Sequence, residues 1–195
     1  KKKALNKRQL KAIANYSDGN KFTEFYRDLW LFIYFCNGIN VADLINLKFS
    51  DIQNGEISFI REKTKDRTRD TKRIYAPITP EMQSIIEKWG NNPRKSIYIF
   101  PFMKAGDDAW EHEKKKKNLT KHINDRMKVI GEKLNIGKIT TYVARHTYAT
   151  VLRNEGVPVS IISPMLGHTS ITTTEIYLAD LESENRARNA SLLSF

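Results

Sequence analysis

Two segments in the C-terminal third of the chain carry the most information about its fold. Residues 140–156 read TTYVARHTYATVLRNEG, and residues 166–177 read LGHTSITTTEIY. The spacing of the apolar residues predicts helices here, with breaks at Gly156 and at the Gly167-His168 pair. The C-terminal third is therefore expected to be helical, like the segment that precedes it from about Glu113 onward.

Three chemically reactive side chains occur within these two stretches. Arg145 lies among apolar neighbours on its predicted helix, which is unusual for a surface arginine. His168 follows a glycine, and Tyr177 comes nine residues after His168. Taken alone, Tyr177 could be a core tyrosine and His168 a helix-end histidine, so the spacing of all three is what makes them candidates.

Upstream of this region, helices surround one predicted β-hairpin. The first forty residues show helical periodicity, with a break at Asn37-Gly38. Residues 55–61 (GEISFIR) and 72–78 (KRIYAPI) alternate in polarity and are rich in β-branched and aromatic side chains, which favours two paired strands. Pro80 then opens another helix. We expect a mainly α fold with a small antiparallel β-sheet (α+β).

Composition predicts one domain over residues 1–195. The chain has 40% hydrophobic residues, which is enough for a core. Its single cysteine, Cys36, excludes an intrachain disulfide framework and a cysteine-rich zinc module. Cys36 ends the apolar run 29–36, which is far shorter than the roughly 20 residues that cross a bilayer. We therefore expect a buried thiol in a cytoplasmic protein with no membrane partner.

Positive charge is the strongest compositional signal. The formal net charge is +11 and the pI is about 9.7, which favours a polyanionic partner, with nucleic acid first. Basic residues concentrate in 61–73, at the hairpin, and in 112–128. A basic hairpin can reach into a groove and contact phosphates, whereas the lysine run 114–117 could equally be a solvated helix face.

The C-terminal motifs closely resemble those of the tyrosine recombinases, also called the phage integrase family. That family has H-x-x-R followed by His-Thr and an Ala-Thr pair, then L-G-H, then a tyrosine nine residues later. Here Arg145 lies in ARHTYAT, His168 in LGH and Tyr177 in TTTEIY. Residues 38–52 (GINVADLINLKFSDI) are similar to the family's G-L-R-x-x-E-L box, and Lys63-Thr64 matches its Lys-Thr pair.

The resemblance implies the recombinase catalytic-domain (DNA breaking-rejoining) fold and a site-specific recombinase or integrase. It also implies that the family's N-terminal core-binding (arm/SAM-like) domain is absent from this chain. Tyr177 would attack a DNA phosphate and form a 3′-phosphotyrosine intermediate. Arg145 would hold two phosphate oxygens through its planar guanidinium, and His168 would donate a hydrogen bond to the same phosphate. No metal or cofactor is implied.

The hairpin would supply the remaining proton and several DNA contacts. Lys63 is the predicted general acid for the departing 5′ oxygen, with Lys65 as the alternative two residues away. Lys65, Arg67, Arg69 and Lys48 are the predicted DNA-binding residues.

Two positions depart from the family pattern. Asn40 stands where the family has its first arginine, and Tyr142 stands where it has the histidine of H-x-x-R. Tyr142 could support catalysis with a hydrogen bond, but Asn40 can only cap a helix. One lost charge-assisted contact would cost roughly 2–4 kcal/mol of transition-state stabilisation.

The cations that could compensate for the missing arginine are Arg61, Arg67, Arg69 and Lys48. The replacements resemble those in integrases of Bacteroides-type mobile elements.

The resemblance also implies the assembly. The partner would be double-stranded DNA, bound by a homotetramer that could be monomeric when free, with an accessory DNA-bending protein as a further possible partner. A type IB topoisomerase-like enzyme and a catalytically impaired DNA-binding relative remain open as alternatives, and an RNA-binding helical protein is a weaker one.

Overall fold

The computed structural model describes residues 3–63, 73–168 and 170–178, apart from the side chain of Tyr177. Its elements, in chain order, are α1 (Lys7–Ala14), α2 (Lys21–Phe35), α3 (Val41–Leu44), a 3₁₀ turn (Phe49–Asp51), β1 (Ile52–Gln53), β2 (Glu56–Ile60), β3 (Arg73–Pro77), α4 (Pro80–Trp89), α5 (Ala109–Lys133), α6 (Thr141–Asn154), α7 (Val159–Met165) and α8 (Ile171–Leu178). The prediction of a mainly α fold with a small antiparallel sheet is confirmed.

The sheet has the order β1-β2-β3, with both pairs of strands antiparallel. Ile57 pairs with Ala76 and Phe59 with Ile74, so the buried apolar residues of the two longer strands share one face. These strands are the predicted hairpin. Residues 64–72 between them, which include the predicted DNA contacts Lys65, Arg67 and Arg69, lie outside the described residues.

Helix α5 begins earlier than the sequence interpretation placed it. The predicted helical region started near Glu113, whereas α5 starts at Ala109. Asp108 is its N-cap, and its Oδ1 accepts the backbone N–H of Glu111 at 2.8 Å. An aspartate followed three residues later by a glutamate is the pattern that favours a capped helix start, and it was overlooked.

The main core forms around α2, which packs against α4, α5 and α6. Leu29, Trp30, Phe32 and Ile33 are fully buried, and so is Cys36, as predicted. Trp30 Nε1 also donates to the carbonyl oxygen of the residue that caps α6, which fixes the start of that helix against α2.

A second, smaller core joins the three C-terminal helices. It contains Ala149 of α6, Ile162 of α7 and Leu178 of α8, together with Leu166 just after α7. Through this cluster, α8, the helix that carries Tyr177, packs on α7, which in turn packs on the helix that carries Arg145. Within the described residues, no helix combines the length and apolar character needed to cross a membrane.

Candidate active site

Arg145 is the centre of the candidate site. Its side chain lies on α6 and is only 7% exposed. Nη1 donates to the carbonyl oxygen of Gly38 at 2.8 Å, and Nη2 donates to the carbonyl oxygen of Leu166. Nη2 also lies 3.2 Å from Nε2 of His168. Two turns that are far apart in sequence therefore orient one guanidinium group beside the histidine that the motif predicts.

Gly38 approaches Arg145 more closely than any other residue type could. Its φ is +62°, a conformation that L side chains rarely adopt. A Cβ added at this position would lie 2.8 Å from Arg145 Cα and 2.8 Å from Cγ. The glycine that the sequence marks as a helix break and as the start of the 38–52 segment thus allows the close backbone contact that holds Arg145.

Tyr148 supports the same turn from the opposite side. Its hydroxyl donates to Oδ1 of Asn37 at 2.9 Å, and Nδ2 of Asn37 donates to the carbonyl oxygen of Tyr75 at 2.9 Å. Burial is the main cause of a raised pKa for the Tyr148 phenol, so the hydroxyl stays protonated and remains a donor. This chain of bonds fixes the residue before Gly38 to α6 and to β3.

His168 occupies a defined tautomer in this arrangement. An arginine N–H can only donate, so Nε2 of His168 accepts from Arg145. Nδ1 then carries the proton and donates to Oγ1 of Thr174, 2.8 Å away on α8. Burial, followed by the charges of Arg145 and Arg61, lowers the pKa of His168 to about 4. The imidazole is thus neutral at pH 7.

A second arginine and a carboxylate complete the described part of the site. Arg61, directly after β2, donates from Nη1 to the carbonyl oxygen of Gly167 at 2.8 Å. Asp43 of α3 is buried, and its Oδ1 accepts the backbone N–H of Glu62 at 2.7 Å. Burial raises the pKa of Asp43, and Arg61 and Arg145 oppose that effect. Asp43 therefore links α3 to the start of the segment that carries Lys63.

The predicted hairpin lysine lies at the edge of the described residues. Lys63 is exposed in the turn after β2. Its role as general acid stays a prediction. Lys48 is also exposed, with its Nζ 5.8 Å from the ring centroid of Tyr98. It lines a cavity of about 550 Å³ together with Asp43 and Glu62, and its role in DNA binding stays a prediction as well.

Tyr177 lies on α8, one residue before the helix ends. Thr174 of the same helix contacts His168, and Leu178 is buried in the C-terminal core. The backbone around Tyr177 is therefore fixed on both sides to the elements that carry Arg145 and His168.

The phage integrase family matches residues 3–184. The chain belongs to this family. Similar relatives are the tyrosine recombinase XerA of Pyrococcus furiosus, 28% identical over 90% of this chain and 56% of the relative, and XerC of Chlamydia caviae, 26% identical over 87% and 52%. The chain thus spans about half the length of the curated relatives it matches.

Solved structures show the same fold at low sequence identity. A crystal structure of XerH recombinase bound to palindromic difH substrate covers 98% of this chain and 53% of its own, with a TM-score of 0.67 and 17% identity. The integrase of transposon Tn1549 with circular intermediate DNA gives a TM-score of 0.60 at 19% identity, over 95% of this chain and 66% of its own. The predicted recombinase catalytic-domain fold is confirmed.

The two departures from the phage integrase pattern have clear structural settings. Tyr142 lies in the first turn of α6 and is 49% exposed, and its ring stacks on His146 with 6.3 Å between centroids. It lies three residues before Arg145, so both side chains share one side of the helix. Asn40 is the N-cap residue of α3 by backbone conformation, but its side chain makes no capping hydrogen bond, contrary to expectation.

Three residues of this family site were missed by sequence reasoning. Thr174 is fully buried and Asp43 nearly so, although both are polar. The signal for Thr174 was its place six residues after His168 on a helix that had to return to the site. No sequence pattern predicts the hydrogen bond from Arg145 to the carbonyl oxygen of Leu166, because that contact depends on how α7 packs against α6.

Proposed function

We propose that this chain is the catalytic domain of a site-specific DNA recombinase that cleaves and rejoins strands through Tyr177. The observation that carries the proposal is the contact between Arg145 and His168, with Thr174 joining His168 to the helix of Tyr177. Membership of the phage integrase family supports it. The substrate is double-stranded DNA, and a tetramer on two DNA sites is the expected assembly.

Arg145 and His168 suit a phosphodiester because both can meet its non-bridging oxygens. Carbonyl oxygens orient the guanidinium, and a planar guanidinium can donate to two oxygens of an anion at once. A phosphate bound there adds negative charge beside His168, which raises the pKa of the imidazole. The protonated ring then donates through Nε2, which the free site uses as an acceptor.

The bond changes follow from these positions. The phenolic oxygen of Tyr177 gives its proton to a solvent water and attacks phosphorus, and the bond from phosphorus to the 5′ oxygen breaks. Lys63 donates a proton to that oxygen, which leaves as a hydroxyl. The reverse attack by a 5′ hydroxyl restores the diester and frees Tyr177, so the energy of the broken bond is kept in the phosphotyrosine.

Covalent trapping tests this proposal. The protein is incubated with nicked suicide duplexes from the ends of the DNA element that encodes it, and SDS-resistant protein–DNA adducts are measured. Tyr177→Phe should abolish the adduct. Tyr75→Phe is the matched control, because Tyr75 is 54% exposed on β3 and has no part in the chemistry.

Each result has a defined meaning. An adduct that is lost only in Tyr177→Phe supports recombinase chemistry, whereas an adduct retained in that variant refutes Tyr177 as nucleophile. Tight duplex binding without any adduct would point to a relative that no longer cuts. Cleavage without sequence preference, together with relaxation of supercoiled plasmid, would point to a topoisomerase.

A further inference from the structure

We propose that Arg61 is the second cation that contacts the scissile phosphate, and that it supplies the charge which Asn40 cannot. This inference rests on the proposed function and adds a phosphate-binding residue to the same site. It begins from one feature of the fold, namely that two arginines from distant elements hold the same short turn.

The turn is the segment that leads from α7 to His168. Arg145 donates to the carbonyl oxygen of Leu166, and Arg61 donates to the carbonyl oxygen of Gly167 at 2.8 Å. These carbonyls belong to consecutive residues, directly before His168. The two guanidinium groups therefore reach one turn from α6 and from the end of β2.

The stem of Arg61 is fixed as firmly as its head group. Gly167 has a φ of +66°, and a Cβ added there would lie 2.4 Å from Cδ of Arg61 and 2.5 Å from Cδ1 of Ile74. Only a glycine lets the arginine stem lie this close to the backbone. Such contact gives the guanidinium a defined position beside His168 rather than a mobile one.

The charges of both arginines reach His168. Each lowers the pKa of that imidazole, after burial itself, which places both positive charges near the ring. The charges of both arginines also lower the pKa of Asp43, and Glu62 is the other carboxylate close to Asp43. Asp43 accepts the backbone N–H of Glu62, so it holds the residue that follows Arg61.

Among the described residues, the other basic side chains near the site lack such a placement. Arg73 directs its guanidinium to Ser58, with Nε to Oγ at 2.7 Å and Nη2 to the carbonyl at 2.9 Å. Lys48 lies over the ring of Tyr98. Arg67 and Arg69 lie outside the described residues. The contacts with the turn before His168 thus single out Arg61.

The first test uses Arg61→Met, which keeps most of the stem against Gly167 and removes the charge. Adduct formation is measured on two suicide duplexes, one with the natural scissile phosphate and one with an uncharged methylphosphonate there. Loss of one charge-stabilising contact should slow cleavage of the natural duplex about 10²–10³-fold. On the methylphosphonate the variant should match the unaltered chain, because no anionic charge needs the second cation.

Arg73→Gln is the matched control and should behave like the unaltered chain on both duplexes. Equal impairment of Arg61→Met on both duplexes would show that Arg61 only supports the structure, and unimpaired cleavage of the natural duplex would also overturn the inference. An unaltered chain that never cuts would instead refute the proposed function.

The second test needs neither DNA nor cleavage. The pKa of His168 is measured by NMR titration in the unaltered chain, in Arg61→Met and in Arg73→Gln. Removal of a facing charge should raise the pKa of His168 in Arg61→Met alone. An unchanged value in that folded variant would show that the guanidinium does not face the ring. Should Arg61→Met fail to fold, Arg61→Gln replaces it in both tests.

Discussion

Substitution of Gly38 by alanine tests whether the turn before α3 controls Arg145. The turn has two separate requirements, a left-handed backbone and empty space next to Arg145. Alanine at φ +62° costs roughly 1–2 kcal/mol, because its Cβ crowds the following carbonyl. The added Cβ would also lie 2.8 Å from Arg145 Cα, and relief of that overlap costs about 1–3 kcal/mol more.

Gly55→Ala separates these two costs. Gly55 has a similar φ of +76°, and nothing lies within 4 Å of a Cβ built there. The Gly55→Ala variant should therefore lose only the free energy that the left-handed backbone conformation costs an alanine. Gly38→Ala should be less stable than Gly55→Ala by about 1–3 kcal/mol, which for a chain of this length is roughly 2–12 °C in Tm.

Activity should separate the two variants further. The overlap at Gly38 moves the backbone of Arg145 and weakens its bond to the Gly38 carbonyl. A displacement on the order of 1 Å at such a group costs about 10²-fold in rate. Adduct formation on suicide DNA should fall by that factor in Gly38→Ala and stay unchanged in Gly55→Ala. Equal stability and equal cleavage in both variants would refute the role assigned to this turn.

Two further predictions concern the neighbours of Arg145. Tyr148→Phe leaves Oδ1 of the buried Asn37 without the donor that it now has, so the free energy of unfolding should fall by about 1–3 kcal/mol in a urea titration, whereas Tyr75→Phe should change it little. Folding lowers the pKa of His168 from 6.5 to about 4. On acidification the unfolded chain therefore binds a proton at this imidazole at a higher pH than the folded chain does, and stability should fall as pH decreases from about 6.5 to 4. Because the ring is only half-buried, this loss should be about 1–2 kcal/mol, and His168→Asn should remove that part of the pH dependence. Parallel pH profiles in the two proteins would contradict the burial of a neutral imidazole.

The sequence predicted those features that depend on local pattern. Alternating polarity predicted β2 and β3, and glycines marked the ends of α2, α6 and α7. The motif also paired Arg145 with His168, which the structure places 3.2 Å apart. Each of these predictions needs only periodicity, turn chemistry or motif spacing.

The features that were missed depend on contacts between distant segments. The carbonyl of Gly38 and the guanidinium of Arg145 are 107 residues apart in sequence, and no local pattern encodes that pairing. Asn40 is the opposite case, in which the local sequence predicts a hydrogen bond that the structure does not contain. Its residue type predicts a capping side chain, but α3 is only four residues long and is held by the packing around Val41 and Leu44, which are buried.

The way in which the arginines are held explains how a buried, positively charged site can exist here. A carboxylate hydrogen-bonded to Arg145 would fix the guanidinium, but it would also cancel the charge that a phosphate needs. Backbone carbonyls orient Arg145 and Arg61 through dipoles and add no negative charge of their own. Because carbonyls belong to the backbone, they are available only where turns bring them close. This explains why the geometry of the site depends on the glycines at 38 and 167.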